Sequence, residues 1–189
     1  MNTPAHLLLG TAAFGRRDAP RVTAAAAVGS LLPDLSLYVL AGGALAAGVP
    51  AERVFRDLYY SDAWQTVFAI DNSVFVWGAV LAAGLALRRA WVVALGAAAL
   101  LHVALDLPLH HDDGRPHFWP LSDWVFESPL SYWDVRRGAG WVAPLEALLA
   151  LACAILLWRR HAAWWARGLV VAAVAAQLGV GGVWAVVFG

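Results

Sequence analysis

The sequence predicts an all-α fold: a polytopic membrane helix bundle with about five transmembrane spans after a short N-terminal half-helix. Hydrophobic residues make up 61% of the 189 residues and charged residues only 14%, and the mean hydropathy is +0.66. Soluble domains carry roughly 45–50% apolar and about 25% charged residues. Several apolar runs also reach the roughly 20 residues that a helix needs to cross a bilayer. Because no linker divides the chain, residues 1–189 are predicted to form a single membrane domain.

The first apolar stretch, residues 5–14, is predicted to be a half-helix rather than a span. Its length gives a helix of about 15 Å, roughly half of what the hydrocarbon core requires. No positively charged residue precedes it, so it does not have the pattern of a signal peptide.

Five longer runs follow, and each is predicted to cross the membrane. The last two are uninterrupted, whereas the first three contain polar residues at Pro33–Asp34, Asp71–Ser73 and His102–Asp106. Pro108 is expected to end or kink the third helix, because proline lacks the amide hydrogen that a helix needs. The predicted spans are residues 22–49, 66–87, 90–109, 140–158 and 168–188, with an outward loop at 110–139.

The arginines predict how the bundle is oriented in the membrane. All 13 basic residues are arginines, and an excess of arginine in short loops marks the cytoplasmic side. On one side of the predicted bundle Asp18 is the only acid, and that side is therefore predicted to be cytoplasmic. The segment 112–137 is then predicted to face outward, in a bacterial-type inner membrane. The cytoplasmic arginines are Arg16, Arg17, Arg21, Arg88, Arg89, Arg159, Arg160 and Arg167.

The composition also excludes several classes of protein. The formal net charge is zero, so the chain has no basic footprint for nucleic acid. Cys153 is the only cysteine, which excludes a disulfide framework and a paired-cysteine zinc or redox motif.

Four acids lie inside the predicted spans, where ionisable side chains are costly and indicate a functional site. They are Asp34, Asp71, Asp106 and Glu146. Counted from the arginine-rich ends, these acids and His102 lie about 18–26 Å into the membrane, at similar heights in its outer half.

His102 and Asp106 are spaced i, i+4, so they share one face of a helix. A hairpin between residues 5–14 and the first span would bring His6 close to Asp34. Imidazole and carboxylate groups suit zinc, and also manganese or iron. The residues therefore predict a divalent metal site, expected to hold zinc, with His6, Asp34, His102 and Asp106 as ligands.

Structural explanations remain open for two of these ligand candidates and for the outward loop. His102 and Asp106 could form a purely structural pair between helices, and Asp34 after Pro33 could cap a helix at a break in the span. The polar run at 110–117 could be a solvated loop.

Structural explanations also remain open for the two other intramembrane acids. Asp71 and Asn72 could be polar contacts that join spans. Glu146 could stabilise the N-terminus of its helix.

Several short motifs resemble those of the inner-membrane metal-dependent hydrolases. That family has a Thr-x-His-type start, a Leu-Pro-Asp, a His-Ser, and a His-x-x-x-Asp that leads to a Trp-Pro or Tyr-Pro. The likeness covers roughly residues 1–125 and includes the order of the motifs. A more distant likeness is to zinc-dependent phospholipase C and the single-strand-specific zinc nucleases. The matching segments are Asn2–His6, Leu31–Asp34, His102–Asp106 and Trp119–Leu121.

The chain departs from this pattern at Asn72–Ser73, where the family has His-Ser. An amide is a poor zinc ligand, so Asp71 could substitute, or the site could hold one metal fewer. The strings Pro108–Asp113 and Phe118–Trp124 resemble membrane proteins that often carry a cobalamin-biosynthesis label. Glutamine-dependent amidation needs a nucleophilic cysteine beside a histidine, and Cys153 lies in an apolar run, so the residues do not support that chemistry.

The resemblance implies metal-dependent hydrolysis. A divalent ion would lower the pKa of its bound water toward about 7 and polarise the scissile group. Asp71 is then expected to orient that water, and His110 or His117 to supply a further ligand or an acid. The position in the membrane favours lipid phosphoesters as substrates. The alternatives are a non-enzymatic membrane protein that carries or senses metal or protons, and a degenerate family member with a structural metal.

Overall fold

The computed structural model describes residues 1–188, with side chains through residue 180, and no strand occurs among them. A three-residue helix, Ala51–Arg53, continues directly into a π-helix at Val54–Leu58. A single 3-10 turn, Val135–Arg137, precedes the helix that begins at Ala139. The helices are α1 (Thr3–Phe14), α2 (Pro20–Ala46), α3 (Ala51–Arg53), α4 (Asp62–Asp71), α5 (Val74–Ala86), α6 (Ala90–Asp106), α7 (Ala139–Arg160) and α8 (Trp164–Phe188).

Within residues 1–180, three helical segments are long and apolar enough to cross a membrane, and the predicted all-α fold is confirmed among the described residues. The three segments are α2, the segment Asp62–Ala86 that contains α4 and α5, and α7. Ala90–Asp106 is apolar but shorter, and so is Trp164–Val180, which is the part of α8 that falls within residues 1–180. The predicted number of five spans is therefore not confirmed.

The second predicted span is broken in the middle. The chain leaves the helix at Asn72–Ser73, and the Ser73 side chain accepts hydrogen bonds from the amides of Phe75 and Val76. Serine is a favourable N-cap because its oxygen satisfies amides that have no partner in the first turn. The polar residues of this span therefore lie at a helix junction and not on a continuous helix.

The other two polar interruptions have different outcomes. Helix α2 continues through Pro33, so the interpretation of Asp34 as the cap of a broken span is wrong. Helix α6 ends at Asp106, two residues before Pro108, as predicted. Asp34 thus lies within α2 and Asp106 is the last residue of α6, so a regular helix holds each of the two carboxylates in position.

Small residues allow the helices that carry these carboxylates to pack closely. A Cβ atom at Gly29 of α2 would lie 3.0 Å from the Cα of Leu95 in α6, and a Cβ at Gly96 would lie 3.0 Å from the Cα of Leu81 in α5. Large side chains face outward instead, since Leu148 is 63% exposed while Ala150 is 2% exposed. This arrangement is typical of helices that pack in lipid.

The half-helix α1 is enclosed by the rest of the bundle. It packs against α2, α6, α7 and α8, and Leu8 lies in a buried cluster with Ala150 and Leu157. At its C-terminal end, Nη1 of Arg160 donates to the carbonyls of Ala12 and Gly15 at 2.9 and 2.8 Å. The C-terminal end of α1 therefore lies at this arginine, and its N-terminal end carries His6.

Candidate metal centre

His102 is the central residue of the polar site and is 1% exposed. Its Nδ1 lies 2.7 Å from the carbonyl oxygen of Ser30 in α2. A carbonyl only accepts hydrogen bonds, so Nδ1 is protonated and donates, and in the neutral ring Nε2 carries the lone pair. Nε2 is buried without a hydrogen-bond partner among the described residues. A metal-ligating histidine is held in this way.

The Nε2 atom of His102 faces two carboxylates. It lies 3.1 Å from Oδ2 of Asp106 and 3.6 Å from Oδ1 of Asp34. A nitrogen lone pair and two carboxylate oxygens repel one another unless Nε2 is protonated or a metal ion lies between them. The donor set thus fits a bound metal ion.

His6 of α1 completes the group of closest donors. Its ring stacks on that of His102, with centroids 3.6 Å apart and an angle of 10° between the planes. Its Nε2 lies 2.9 Å from Oδ1 of Asp106. One donor atom from each of these three residues lies within 4.8 Å of the other two. Zinc binds imidazole and carboxylate at about 2.0–2.2 Å, so a small shift would let one ion contact all three.

Asp106 receives two further nitrogen contacts. The Met1 amino group lies 2.5 Å from Oδ1, and Nε2 of His110 lies 3.4 Å from the same oxygen. The Nδ1 of His110 is 3.0 Å from Oδ2 of Asp113, to which Nε1 of Trp133 donates at 3.1 Å. Burial opposes ionisation of Asp113, but the contact with His110 outweighs it and lowers the pKa of Asp113. A carboxylate that orients a histidine toward a metal is a common outer contact.

Asp34 is tied to the N-terminal segment. The Oγ1 of Thr3 donates to Oδ2 of Asp34 at 2.5 Å, and the Tyr38 hydroxyl lies 2.8 Å from the same Oγ1. One oxygen of Asp34 is therefore occupied by Thr3, while the other faces His102.

The predicted residues are only partly brought together. His6, Asp34, His102, Asp106 and His110 lie in one cluster, and their role as ligands stays a prediction. No ion pair joins the Asp71 carboxylate to this cluster among residues 1–180, and its role in the site stays a prediction.

His117 lies beside the helix junction rather than in the cluster. Its Nδ1 donates to the carbonyl of Asn72 at 3.0 Å, and its own carbonyl accepts from the amide of Val74 at 2.9 Å. Burial lowers the pKa of His117 and outweighs the hydrogen bond to Asn72 and the negative charge of Asp106, which act in the opposite direction. His117 is therefore a neutral, inward-held histidine near neutral pH.

Asn72 has a structural role at the same junction. It is 5% exposed, and its Nδ2 donates to the carbonyls of Pro33 and Phe68 at 3.2 and 3.0 Å. The interpretation of this position as a polar contact between spans agrees with these bonds.

Glu146 links the N-terminal segment to two later helices. Its Oε1 accepts from Nδ2 of Asn2 and from Nε2 of Gln177, both at 2.6 Å. No acid lies in the first turn of α7, which begins at Ala139. The interpretation that Glu146 stabilises a helix N-terminus is therefore wrong.

Sequence reasoning missed four residues around the site: Thr3, Ser30, Tyr59 and Asp113. Thr3 lies in the N-terminal motif of the resemblance, which indicated no role for its hydroxyl, and the Ser30 carbonyl is a backbone group that no side-chain pattern reveals. Asp113 lies in the polar run 110–117 and follows His110 by three residues, which was a usable signal. Tyr59 follows the π-helix, an element that frequently occurs at functional sites but has no simple sequence pattern.

No protein-family model, curated protein or solved structure gives a significant match to this chain.

Proposed function

We propose that this protein is an integral membrane metal-dependent hydrolase. The observation that carries the proposal is the environment of His102, whose Nδ1 is fixed on a backbone carbonyl while Nε2 faces Asp34 and Asp106. His6 and Asp106 supply the other nearest donors, and His110 extends the set from the outward loop. The resemblance of the motifs to the inner-membrane metal-dependent hydrolases supports the same function.

The ion is proposed to be a divalent metal, with zinc preferred because histidine and aspartate are its usual ligands. When bound, such an ion supplies Lewis acidity and an activated water. The protein's own groups hold and orient the ligands: Ser30 fixes the His102 tautomer and Asp113 orients His110. His117, whose Nδ1–H is held by Asn72, keeps its Nε2 lone pair available to accept a proton.

We assign the substrate to the phosphoesters of membrane lipids. The cluster lies at the end of the bundle away from Arg160, beneath the loop 107–138. Five spans, counting the two shorter apolar helices, would place that loop on the outer face of a bacterial-type inner membrane and the arginine-rich ends in the cytoplasm. Lipid headgroups of the outer leaflet would then lie at the height of the site.

Measurement of bound metal tests this proposal. We expect the protein purified in mild detergent to contain bound zinc, and His102→Ala to lose it while keeping its helical circular dichroism. His111→Ala is the matched control, because Nδ1 of His111 also lies 2.7 Å from a backbone carbonyl, that of Ser128, but His111 is not in the cluster. A wild-type protein that binds no divalent metal, or a His102→Ala variant that keeps it, would show that the proposal is wrong.

A second candidate is a structural metal site in a degenerate member of the family. Asn72, at the position of the family's His-Ser histidine, uses its amide to hold two backbone carbonyls. Metal bound in the wild type without hydrolysis of any phosphodiester would favour this candidate.

A further inference from the structure

Arg115 is a cation whose side chain has no carboxylate partner among the described residues. It belongs to the outward loop, two residues after Asp113 and two before His117. Among the described residues Arg115 forms no ion pair, although Arg136 of the same loop is 3.1 Å from Asp134. A guanidinium is always charged and is costly to hold near apolar surface without compensation.

Two aromatic rings hold this guanidinium in place. Its central carbon lies 4.3 Å from the ring centroid of Phe68 and 4.9 Å from that of Tyr59. Its Nη2 also donates to the Tyr59 hydroxyl at 2.7 Å. Stacking uses the flat face of the group, and this hydrogen bond uses one of its five N–H donors. Because the guanidinium is planar and rigid, its remaining N–H groups point outward from its edge in fixed directions and can bind an anion there.

The local backbone places Tyr59 for this contact. The amide of Tyr59 donates to the carbonyl of Val54 at 2.9 Å, at the end of the π-helix. Burial raises the pKa of Tyr59 to about 12. Its hydroxyl therefore keeps its proton, accepts from Arg115, and can donate that proton to an anion.

Arg115 is close to the residues that border the metal cluster. Its carbonyl accepts a hydrogen bond from the amide of His117 at 2.9 Å, and Asp113, two residues before it, lies 3.0 Å from His110. A positive group thus lies on the loop side of the site, and the cluster of histidines and aspartates lies on the helix side.

We propose that Arg115 and Tyr59 bind the anionic phosphoryl group of the substrate. This inference rests on the proposed function and specifies its substrate class as a phosphoester that carries a negative charge. The planar fork of arginine matches two phosphoryl oxygens, and the Tyr59 hydroxyl supplies a third donor. A neutral ester would leave the Arg115 charge uncompensated.

Binding of inorganic phosphate tests the inference without a need for turnover. Phosphate is titrated calorimetrically into the full chain in detergent, with zinc and after its removal. We expect Arg115→Gln to weaken phosphate binding by about tenfold or more, as expected for the loss of one charged hydrogen bond, with its zinc content unchanged. Arg136→Gln removes one charge from the same loop and should bind phosphate like the wild type.

Two milder variants cover the case in which Arg115→Gln does not fold. Arg115→Lys keeps the charge and Tyr59→Phe keeps the ring, and each should still weaken phosphate binding severalfold. Unchanged phosphate affinity in the folded variants at these positions would overturn the inference, even with zinc still bound. Absence of zinc from the wild type would instead contradict the proposed function, and phosphate binding by the metal-free protein would still test Arg115.

A parallel titration with dihexanoyl phosphatidylglycerol separates a lipid headgroup from free phosphate. If the phosphoryl group belongs to a lipid, this short-chain lipid should bind more tightly than inorganic phosphate and lose affinity in Arg115→Gln. If inorganic phosphate binds as tightly as the lipid and loses the same affinity in Arg115→Gln, Arg115 and Tyr59 form an anion site for soluble phosphate rather than for a lipid headgroup. A lipid affinity that does not depend on Arg115 would contradict the inference for lipids.

Discussion

The imidazole rings of His6 and His102 stack face to face, 3.6 Å apart and within 10° of parallel. They come from helices α1 and α6, far apart along the chain. Two positively charged imidazolium rings would repel each other strongly at this distance. A metal ion bound by both rings and Asp106, as proposed above, would hold the rings together.

The stacked pair allows ring packing to be separated from metal binding. We expect His6→Phe to keep the helical structure and thermal stability close to wild type, because phenylalanine also presents a flat ring. It should lose most of the bound zinc, since it has no donor nitrogen. Metal analysis and thermal circular dichroism measure the two effects. Wild-type zinc content in His6→Phe would exclude His6 as a ligand.

Close packing of α2 on α6 is expected to set the distance from Asp34 to His102. Gly29→Val should push the helices apart, because a Cβ there would lie 3.0 Å from the Cα of Leu95. Zinc affinity should fall although no ligand is changed. Gly42→Val, in the same helix but with nothing within 4 Å of the added Cβ, is the control. Equal zinc affinities in the two variants would contradict this explanation.

Asn72 is expected to stabilise the fold rather than bind metal. Asn72→Ala removes the amide that donates to Pro33 and Phe68, and should lower the free energy of unfolding by about 1 kcal/mol. Its zinc content should remain at the wild-type level. Thr66→Ala, in α4, removes an exposed hydrogen bond from the threonine hydroxyl to the Asp62 carbonyl. It should lower the free energy of unfolding by less. Loss of zinc in Asn72→Ala would instead place Asn72 at the metal.

The proposed orientation predicts opposite accessibility of two exposed positions. In a Cys153→Ala background, a cysteine introduced at Ser122 should react with an impermeant thiol reagent in intact cells. A cysteine at Ala162 should react only after the cells are opened, because it lies beside Arg159 and Arg160 on the proposed cytoplasmic side. The reverse pattern would move the site to the cytoplasmic half of the membrane.

Much of the fold could be predicted from the lengths of the apolar runs and from the position of Pro108. Residues 140–158 were predicted as a span, and α7 covers Ala139–Arg160. The break at Asn72–Ser73 could not be derived from hydropathy, because the flanking residues are apolar on both sides. It depends on side-chain and carbonyl bonds made by Asn72, Ser73 and His117, which only the folded chain brings together.

The closeness of Asp34 and His102 followed from counting depth along helices, because helix rise is constant. Asp106 followed from its i, i+4 spacing to His102, and His6 from the predicted hairpin. Asp71 shows where this reasoning stops. It has a suitable depth, but depth alone does not specify which side of its helix a residue occupies. The contribution of Arg115 depends on stacking against Phe68 and Tyr59, and no spacing rule relates these three positions.

The enclosure of α1 has a consequence for how the bundle forms. His6 lies in α1, whereas its partner Asp106 lies 100 residues further along the chain. Helices α7 and α8, which also pack on α1, lie later still. The surroundings of His6 can therefore close only when the chain through α8 is present, because they depend on contacts of long sequence separation.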